Sequence, residues 1–440
     1  MIPFSYIEFA LFNGLLVVLH RDATLPLICV NVTYGVGSAD EENGRTGYAH
    51  LVEHLMFEGS PNLPHGEYDR RCEAVGGDNN AETTEDKTSY HLLVPSHCLE
   101  LALWMESDRL CGLSLTEESL AVQRSVVMEE RRQCIDNQPY GTIDERLARL
   151  LFPDHPYGHH ILGSMEDIAS ATMESVQEFH TAWYRPGNAV LTIVGDHDPD
   201  RTADLVDKWF GSIPASYPKD RGIPVSAQKG GAREVIADAV PLPAVIAGFR
   251  LPPDWDEEFT CLEIAAEAIG GGNASLLSSI LVYERRVASH LSFSCEARRA
   301  GGWIVAAAFA APGRSAEEVE DTLREVFTDE VGAGLGAEQL EQARNRLEAR
   351  AYEGMRPLVG RAERFAHHAL FDSDAGLALH IPERYVRVSV SQIEEAVRRY
   401  LRFEEASILH FVPAESDGPQ HSGRSAFAAG GGPVSRKTIS

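Results

Sequence analysis

Residues 175–196 read SVQEFHTAWYRPGNAVLTIVGD, and residues 391–413 read SQIEEAVRRYLRFEEASILHFVP. In each, apolar residues at helical spacing give way to a short break and then to a run rich in branched aliphatic residues. Each therefore predicts a helix, a turn and a strand. In the first copy the break is Pro186-Gly187-Asn188, a strong turn signal. The two share little identity, but their elements agree in order and length, which is the mark of an internal duplication.

The rest of the chain keeps to that rule. Residues 8–22, EFALFNGLLVVLHRD, predict a hairpin around Asn13-Gly14. A further strand is expected in LICVNVTYGVGSA, a helix over 46–58, a turn and β-type alternation over 76–95, and helices over 97–113 and 116–151. The second half offers VIAGFRLPP as a strand, helices over 257–269 and 274–287, GGWIVAAAFAAP as a strand, and long helices over 315–333 and 337–370. Between the halves, prolines and glycines collect and apolar periodicity lapses. The expected fold class is α+β. Two homologous domains, 1–215 and 233–415, each form a mostly antiparallel sheet backed by helices. A linker, 216–232, joins them, and 416–440 forms a flexible tail.

The chain has 440 residues and a formal net charge of -27, which argues against nucleic acid and anionic membrane surfaces as partners. Its seven cysteines are scattered without a CxxC pair, which disfavours a disulfide framework or a cysteine zinc site. The N-terminal stretch MIPFSYIEFALFNG lacks the features of a signal peptide, and the apolar run WIVAAAFAA is about half of a membrane span. A cytoplasmic protein is expected; a chain whose leader had been removed would read the same and sit in the periplasm.

The chemistry concentrates in AHLVEHLMFEGS, residues 49–60. His50 and His54 are four apart, so on a helix they share a face and can aim two imidazoles at one point. Two neutral histidines suit zinc, which in a catalytic site takes a third protein ligand and keeps one position open. Glu53 lies about 100° around the helix from His54. It is badly placed to be a ligand there and well placed to act as general base towards an attacking water. The third ligand must come from elsewhere, and Glu129 or Glu130 in VQRSVVMEERRQC, on a helix with Val126 and Val127 facing inward, is the best candidate. Only one of these neighbours can point at the metal, and spacing alone does not choose.

GRTGYAHLVEHLMFEGS, GGDNNAETTEDKTSYHLLVP, LALWMESDRL, SVVMEERR, HPYGHHILGSMEDI and YRPGNAVLTIVGD together resemble the pitrilysin/insulinase family of zinc peptidases, in its small, two-chain form. The likeness runs from about residue 5 to 415 and is more specific in the first half. It implies a zinc endopeptidase with His50 and His54 as ligands and Glu53 as general base. The family's third ligand lies 76 positions after the second histidine, which is Glu130. Gln123 stands where the family often has a second acidic residue behind the ligands, a departure that bears on how the site is tuned. NNAET matches the family's substrate-binding edge strand, with Asn80 and Ala81 as the positions where a peptide would add as an extra strand.

A second departure concerns the Arg and Tyr, seven residues apart, with which active members hold the substrate carbonyl. Here those positions are Val282 and Ser289, and Arg285, Arg286 and His290 do not restore the pattern. The resemblance therefore implies the zinc-binding subunit of a heterodimer. Its homologous partner would carry the Arg/Tyr pair and a degenerate zinc motif, and the two chains would enclose a chamber for peptides. A non-catalytic structural subunit is a second reading, and a self-sufficient homodimer using His290 a third. His91 and His97 read as ordinary core or surface histidines, and HPYGHH (155–160) as a connecting loop. The glycines at 270–272 read as a flexible approach to the chamber.

Overall fold

The computed structural model describes residues 5–217, 221–225, 231–273 and 275–414. The expected tail, and residues 218–220 and 226–230 of the expected linker, lie outside the described residues. Among the described residues, eleven strands form two sheets. The first holds β1 (Tyr6–Ala10), β2 (Leu16–Arg21), β3 (Leu27–Tyr34), β4 (Asp78–Thr83), β5 (Thr88–Pro95) and β6 (Ala189–Gly195), in the order β1-β2-β6-β3-β5-β4. The second holds β7 (Arg233–Asp238), β8 (Ala244–Arg250), β9 (Ala288–Glu296), β10 (Trp303–Ala310) and β11 (Ser407–Pro413), in the order β7-β11-β8-β10-β9.

The sheets superimpose in topology. Leaving out β1, strand by strand β2-β6-β3-β5-β4 corresponds to β7-β11-β8-β10-β9. In each, one pair is parallel, β2 with β6 and β7 with β11, and the other pairs are antiparallel. The central strands are apolar on both faces, as in LICVNVTY and AVIAGFR, because helices cover both faces.

The helices of the first half are α1 (Tyr48–Leu55), α2 (Glu67–Ala74), α3 (Leu99–Cys111), α4 (Glu117–Arg131) and α5 (Ile143–Leu151). A short helix, Met165–Ser170, follows α5, and two further helices, Met173–Trp183 and Pro199–Phe210, flank β6. The expected continuous helix over 116–151 is instead α4 and α5. After α4 the chain passes through a wide turn, Arg132–Asp136, and then Tyr140 takes a positive φ of 61° that no helix accommodates. The expected 337–370 helix is likewise two, Ala337–Gly354 and Leu358–Asp372, divided at Pro357, which has no N–H to carry a helix through. Of the expected 274–287 helix, a wide helical turn at Ser278–Glu284 is present, and β9 begins at Ala288.

These two breaks build the molecule. Helix α5 leaves its own half and lays Leu147, Ala148 and Leu151 against Ala244, Ile246, Leu409 and Phe411 of the second sheet. Reciprocally, Leu358–Asp372 lays Ala362, Phe365, Ala366 and Ala369 against Val18, Cys29, Val190 and Val194 of the first sheet. Each sheet is thus covered on one face by its own helices and on the other by a helix from its twin. Polar contacts follow the same seam. Asp86 accepts from Tyr157 Oη at 2.7 Å and from the Arg299 amide at 3.0 Å. Arg221, within the expected linker, makes a two-pronged ion pair with Asp40 at 2.6 and 2.9 Å. The glycines at 270–272 serve close packing rather than flexibility at their first position, where a Cβ on Gly270 would stand 2.0 Å from the Phe293 ring.

Candidate metal centre

The site begins at Gly47, the residue before α1, with φ 85°. A Cβ there would meet the Ile168 side chain at 2.5 Å and the Leu162 carbonyl at 2.8 Å, so the position takes only glycine. The first free amides of α1 are met by one carboxylate. Glu41 accepts from Gly47 N at 2.7 Å and Ala49 N at 2.8 Å. It occupies the end of the helix where negative charge is favoured. Burial pushes the Glu41 carboxyl well above its ordinary value, and the two amide bonds pull the other way. Tyr48, Ala49, Leu51, Val52 and Leu55 are buried and seat α1 against the first sheet.

Helix α4 crosses α1 and carries Glu130 to the histidines. Glu130 Oε2 lies 3.7 Å from His50 Nε2 and 3.4 Å from His54 Nε2. One nitrogen or oxygen from each of the three lies within 4.8 Å of the other two. Glu129, one residue earlier, turns to solvent and pairs with Arg132 at 3.2 Å. Helix α4 is also rotated from the expected orientation: Val127 is fully buried, whereas Val126 is 39% exposed.

The electrostatics suit a cation. Burial, helped by the neighbouring His54, lowers His50 to about 4, so its ring is neutral at pH 7 and has a lone pair to give. Burial works against a charged Glu130, but hydrogen bonding to His54 and the nearby imidazoles outweigh it and hold the carboxyl below its ordinary value. Burial also works against a charged His54, but Glu130, with Glu53 and Gln123, more than compensates, so that ring is raised. His50 Nδ1 is buried with no hydrogen-bond partner among the described residues. Two imidazoles and a carboxylate on one point fit the three-protein-ligand donor set of a catalytic zinc site.

Glu53 stands beside this trio, partly buried, and accepts a hydrogen bond from Thr83 Oγ1 of β4. Burial pushes its carboxyl up to about 7, against the opposing Thr83 bond and His54 charge. Strand β4 is an edge of the sheet, paired only with β5. Asn80 and Ala81, opposite His91 and Tyr90, lie half-buried on it. The Ala81 amide is taken up by the Asn80 side chain at 2.9 Å.

Gln123, about two turns before Glu130 on α4, accepts at Oε1 from His54 Nδ1 at 3.2 Å. Two participants escaped sequence reasoning. Thr83 gave no signal beyond its place in NNAET. Glu58 did give one, being a carboxylate in an apolar run four residues after His54, but α1 ends at Leu55 and helical spacing does not carry that far.

The other candidates resolve into structure. Ser289 Oγ donates to the carbonyls of Phe309 and Ala310 at 3.2 and 3.1 Å. Val282 lies in the turn before β9, Arg285 pairs with Glu325 at 3.4 Å, and His290 packs its ring on Phe309. No hydrogen bond or ion pair among the described residues joins any of these to His50, His54 or Glu130. In HPYGHH, His155 bonds the Pro224 carbonyl at 2.8 Å, and Tyr157 joins the two halves through Asp86 and the Ala300 amide. His91 is buried and His97 exposed. A second group, His367, His368 and Asp372, gathers at the seam, but Arg299 already lies 3.0 Å from Asp372 Oδ1 and 2.9 Å from Asp254 Oδ1.

Two histidines of the short helix α1 and a glutamate of α4 thus converge, with a carboxylate beside them and a free strand edge next to that. Residues 16–165 match the model of the insulinase family, peptidase family M16, and residues 170–347 match that of the peptidase M16 inactive domain. The chain belongs to the insulinase (M16) family. It is 33% identical over 288 residues to the zinc protease PqqE of Helicobacter pylori, a stretch that is 63% of this chain and 64% of that one. An uncharacterized zinc protease of Mycobacterium leprae is 29% identical over 327 residues, 73% of each chain. The match to PqqE spans a little under two thirds of that relative's length. The crystal structure of a protease from Helicobacter pylori aligns with a TM-score of 0.86 at 27% identity, over 93% of this chain and 100% of that one.

Proposed function

We propose that this chain is a zinc-dependent endopeptidase subunit that cleaves peptides or unfolded segments inside a closed chamber. In this reading it works with a homologous partner that supplies the Arg/Tyr carbonyl-binding pair. The observation that carries it is the convergence of His50 Nε2, His54 Nε2 and Glu130 Oε2 beside a carboxyl raised to about 7. His50, His54 and Glu130 would hold zinc. Zinc bound there supplies a Lewis acid and makes a water acidic enough to lose its proton near neutral pH. Glu53 takes the proton of the attacking water on its carboxylate and returns it to the leaving amine nitrogen. A base raised towards 7 holds that proton near neutrality, which suits both transfers. Strand β4 orients the substrate by main-chain pairing, with Asn80 and Ala81 at the contact, and Asn80 releases the Ala81 amide as the peptide arrives. Relatives named zinc proteases support the metal and the reaction class. No helix among the described residues is long and apolar enough to cross a membrane.

Ser289 favours a second reading. Its hydroxyl is engaged by two carbonyls of its own sheet, so neither it nor Val282 offers the substrate a charged donor. A non-catalytic structural subunit would tolerate that, and a self-sufficient homodimer would have to recruit His290. One experiment separates the three. Purified chain is analysed for zinc and assayed on unfolded peptides, alone and with a homologue bearing the Arg/Tyr pair. We expect one zinc per chain and cleavage that needs the homologue. We also expect Glu53→Gln to lower the rate by about 10²–10⁴-fold with zinc retained. Absence of zinc, or cleavage indifferent to Glu53→Gln, overturns the peptidase reading.

A further inference from the structure

The hydrogen bond behind His54 continues outward. Gln123 Nε2 donates to Glu58 Oε1 at 2.6 Å, and the other oxygen of Glu58 lies 2.9 Å from His65 Nδ1. Glu58 is 8% exposed, and Gln123 and His54 are partly buried, whereas His65 is at the surface. The chain His54–Gln123–Glu58–His65 thus runs from the metal centre to solvent and joins α4 to the segment just after α1.

The chemistry of the partners fixes the direction of every bond in it. A carboxylate only accepts, so the Gln123 amide turns its NH2 to Glu58. Its carbonyl oxygen then faces His54, and since that oxygen also only accepts, the ring proton of His54 sits on Nδ1. The lone pair is left on Nε2, the atom that faces Glu130 and converges with His50. Without Glu58 the amide has no reason to prefer this orientation. Flipped, it would offer NH2 to Nδ1 and drive the ring proton to Nε2, where it blocks the lone pair.

We infer that Glu58 is a positioning residue for the metal centre, acting through the Gln123 amide to hold His54 in the tautomer that can bind a cation. An acid placed directly behind a ligating imidazole does this in one step. Here an amide stands in the first place and the charge is moved one residue outward. The inference rests on the proposed zinc centre.

The test is zinc affinity, measured by competition with a chromophoric chelator on the whole chain. Thermal melting of the metal-free variants serves as the folding check. Glu58→Met removes the acceptor and should weaken zinc binding by about 10–100-fold. Glu58→Gln keeps an acceptor without the charge, should fall between, and answers the question if the methionine variant does not fold. Adding Gln123→Glu to Glu58→Met puts a carboxylate directly on His54 Nδ1 and should restore affinity to within about threefold. Native-like affinity in Glu58→Met, or a loss that Gln123→Glu does not repair, overturns the role of Glu58. Zinc affinity that is indifferent to His50→Ala overturns the metal reading itself, and the inference with it.

Discussion

In the first half of the molecule, α1 and α4 meet at His50, His54 and Glu130; in the second, the corresponding helices Glu257–Gly270 and Ala337–Gly354 meet at Glu267, Arg346 and Arg350. Both helix pairs hang from the same two positions of equivalent sheets. In the second, the buried Glu267 is gripped by Arg346 at 2.8 Å and Arg350 at 2.6 Å, and Glu263 next to it is met by Tyr385 at 3.0 Å. Positive charge is supplied by the chain and the contact is closed. In the first, one carboxylate faces two imidazoles with no arginine or lysine against it among the described residues, and in the proposed reading a metal ion supplies the positive charge. The duplicated scaffold tolerates either solution, and the proposed metal site is the copy in which the chain supplies no arginine to the carboxylate.

The largest way to disturb both copies together is to strip the exchanged helices. Phe365→Ala should cost about 3–5 kcal/mol and Leu147→Ala about 2–5 kcal/mol in chemical denaturation, since both side chains are fully buried against the opposite sheet. If the halves are truly interlocked, each variant lowers the stability of the whole chain in one transition. A second transition confined to one half breaks the picture of mutual cover.

Glu53 distinguishes the copies by sign. Its folded carboxyl titrates near 7, above the ordinary 4.5. Folding therefore favours its protonated form. The cost of ionising it is absent below the unfolded pKa, grows as pH rises between 4.5 and 7, and is fully felt above 7. Glu53→Gln should stabilise the metal-free chain at pH 8 by about 1–3 kcal/mol and hardly at all at pH 4. The same substitution removes the proposed base, so stability gained and activity lost would come from one residue. A gain of equal size at both pH values would show that ionisation is not its source.

Glu267→Gln should act in the opposite sense. It leaves two guanidinium groups short of a partner; Arg350 is exposed enough to reach water, but Arg346 Nε, which faces Glu267, is buried, so the loss should be about 1–3 kcal/mol. Zinc content should not change. A drop in zinc on altering Glu267 would mean that the two helix pairs are coupled rather than parallel.

How much of this could be read from the sequence follows from the range of each signal. The His50–Glu53–His54 constellation was legible because one helical turn contains it. Choosing Glu130 over Glu129 needed either a family likeness or the rotation of α4, and that rotation also put Val126 outside and Val127 inside. The duplication was visible in 175–196 and 391–413 because helix-turn-strand is a local pattern. The exchange of α5 and Leu358–Asp372 was not, because periodicity says that Leu147 or Phe365 is buried and never by which sheet. The breaks that allow the exchange, at Tyr140 and Pro357, interrupt stretches whose helical spacing is otherwise continuous. Glu58 was missed because its link to His54 passes through a side chain 65 residues away.

The smallest effect probes the last contact that sets the two copies apart, the Thr83 hydroxyl on Glu53. This bond favours the charged carboxylate, opposing the burial that raises it. Thr83→Val keeps the shape of the side chain and the β-branched preference of an edge strand while removing the donor. The carboxyl should then rise further, and the acidic limb of the pH–rate profile should move to higher pH by up to about one unit, with the alkaline limb unchanged. The shift isolates Thr83, because zinc and its ligands are common to both proteins. A profile that keeps its acidic limb in place while the rate falls at every pH would assign Thr83 to seating β4 and not to tuning the base.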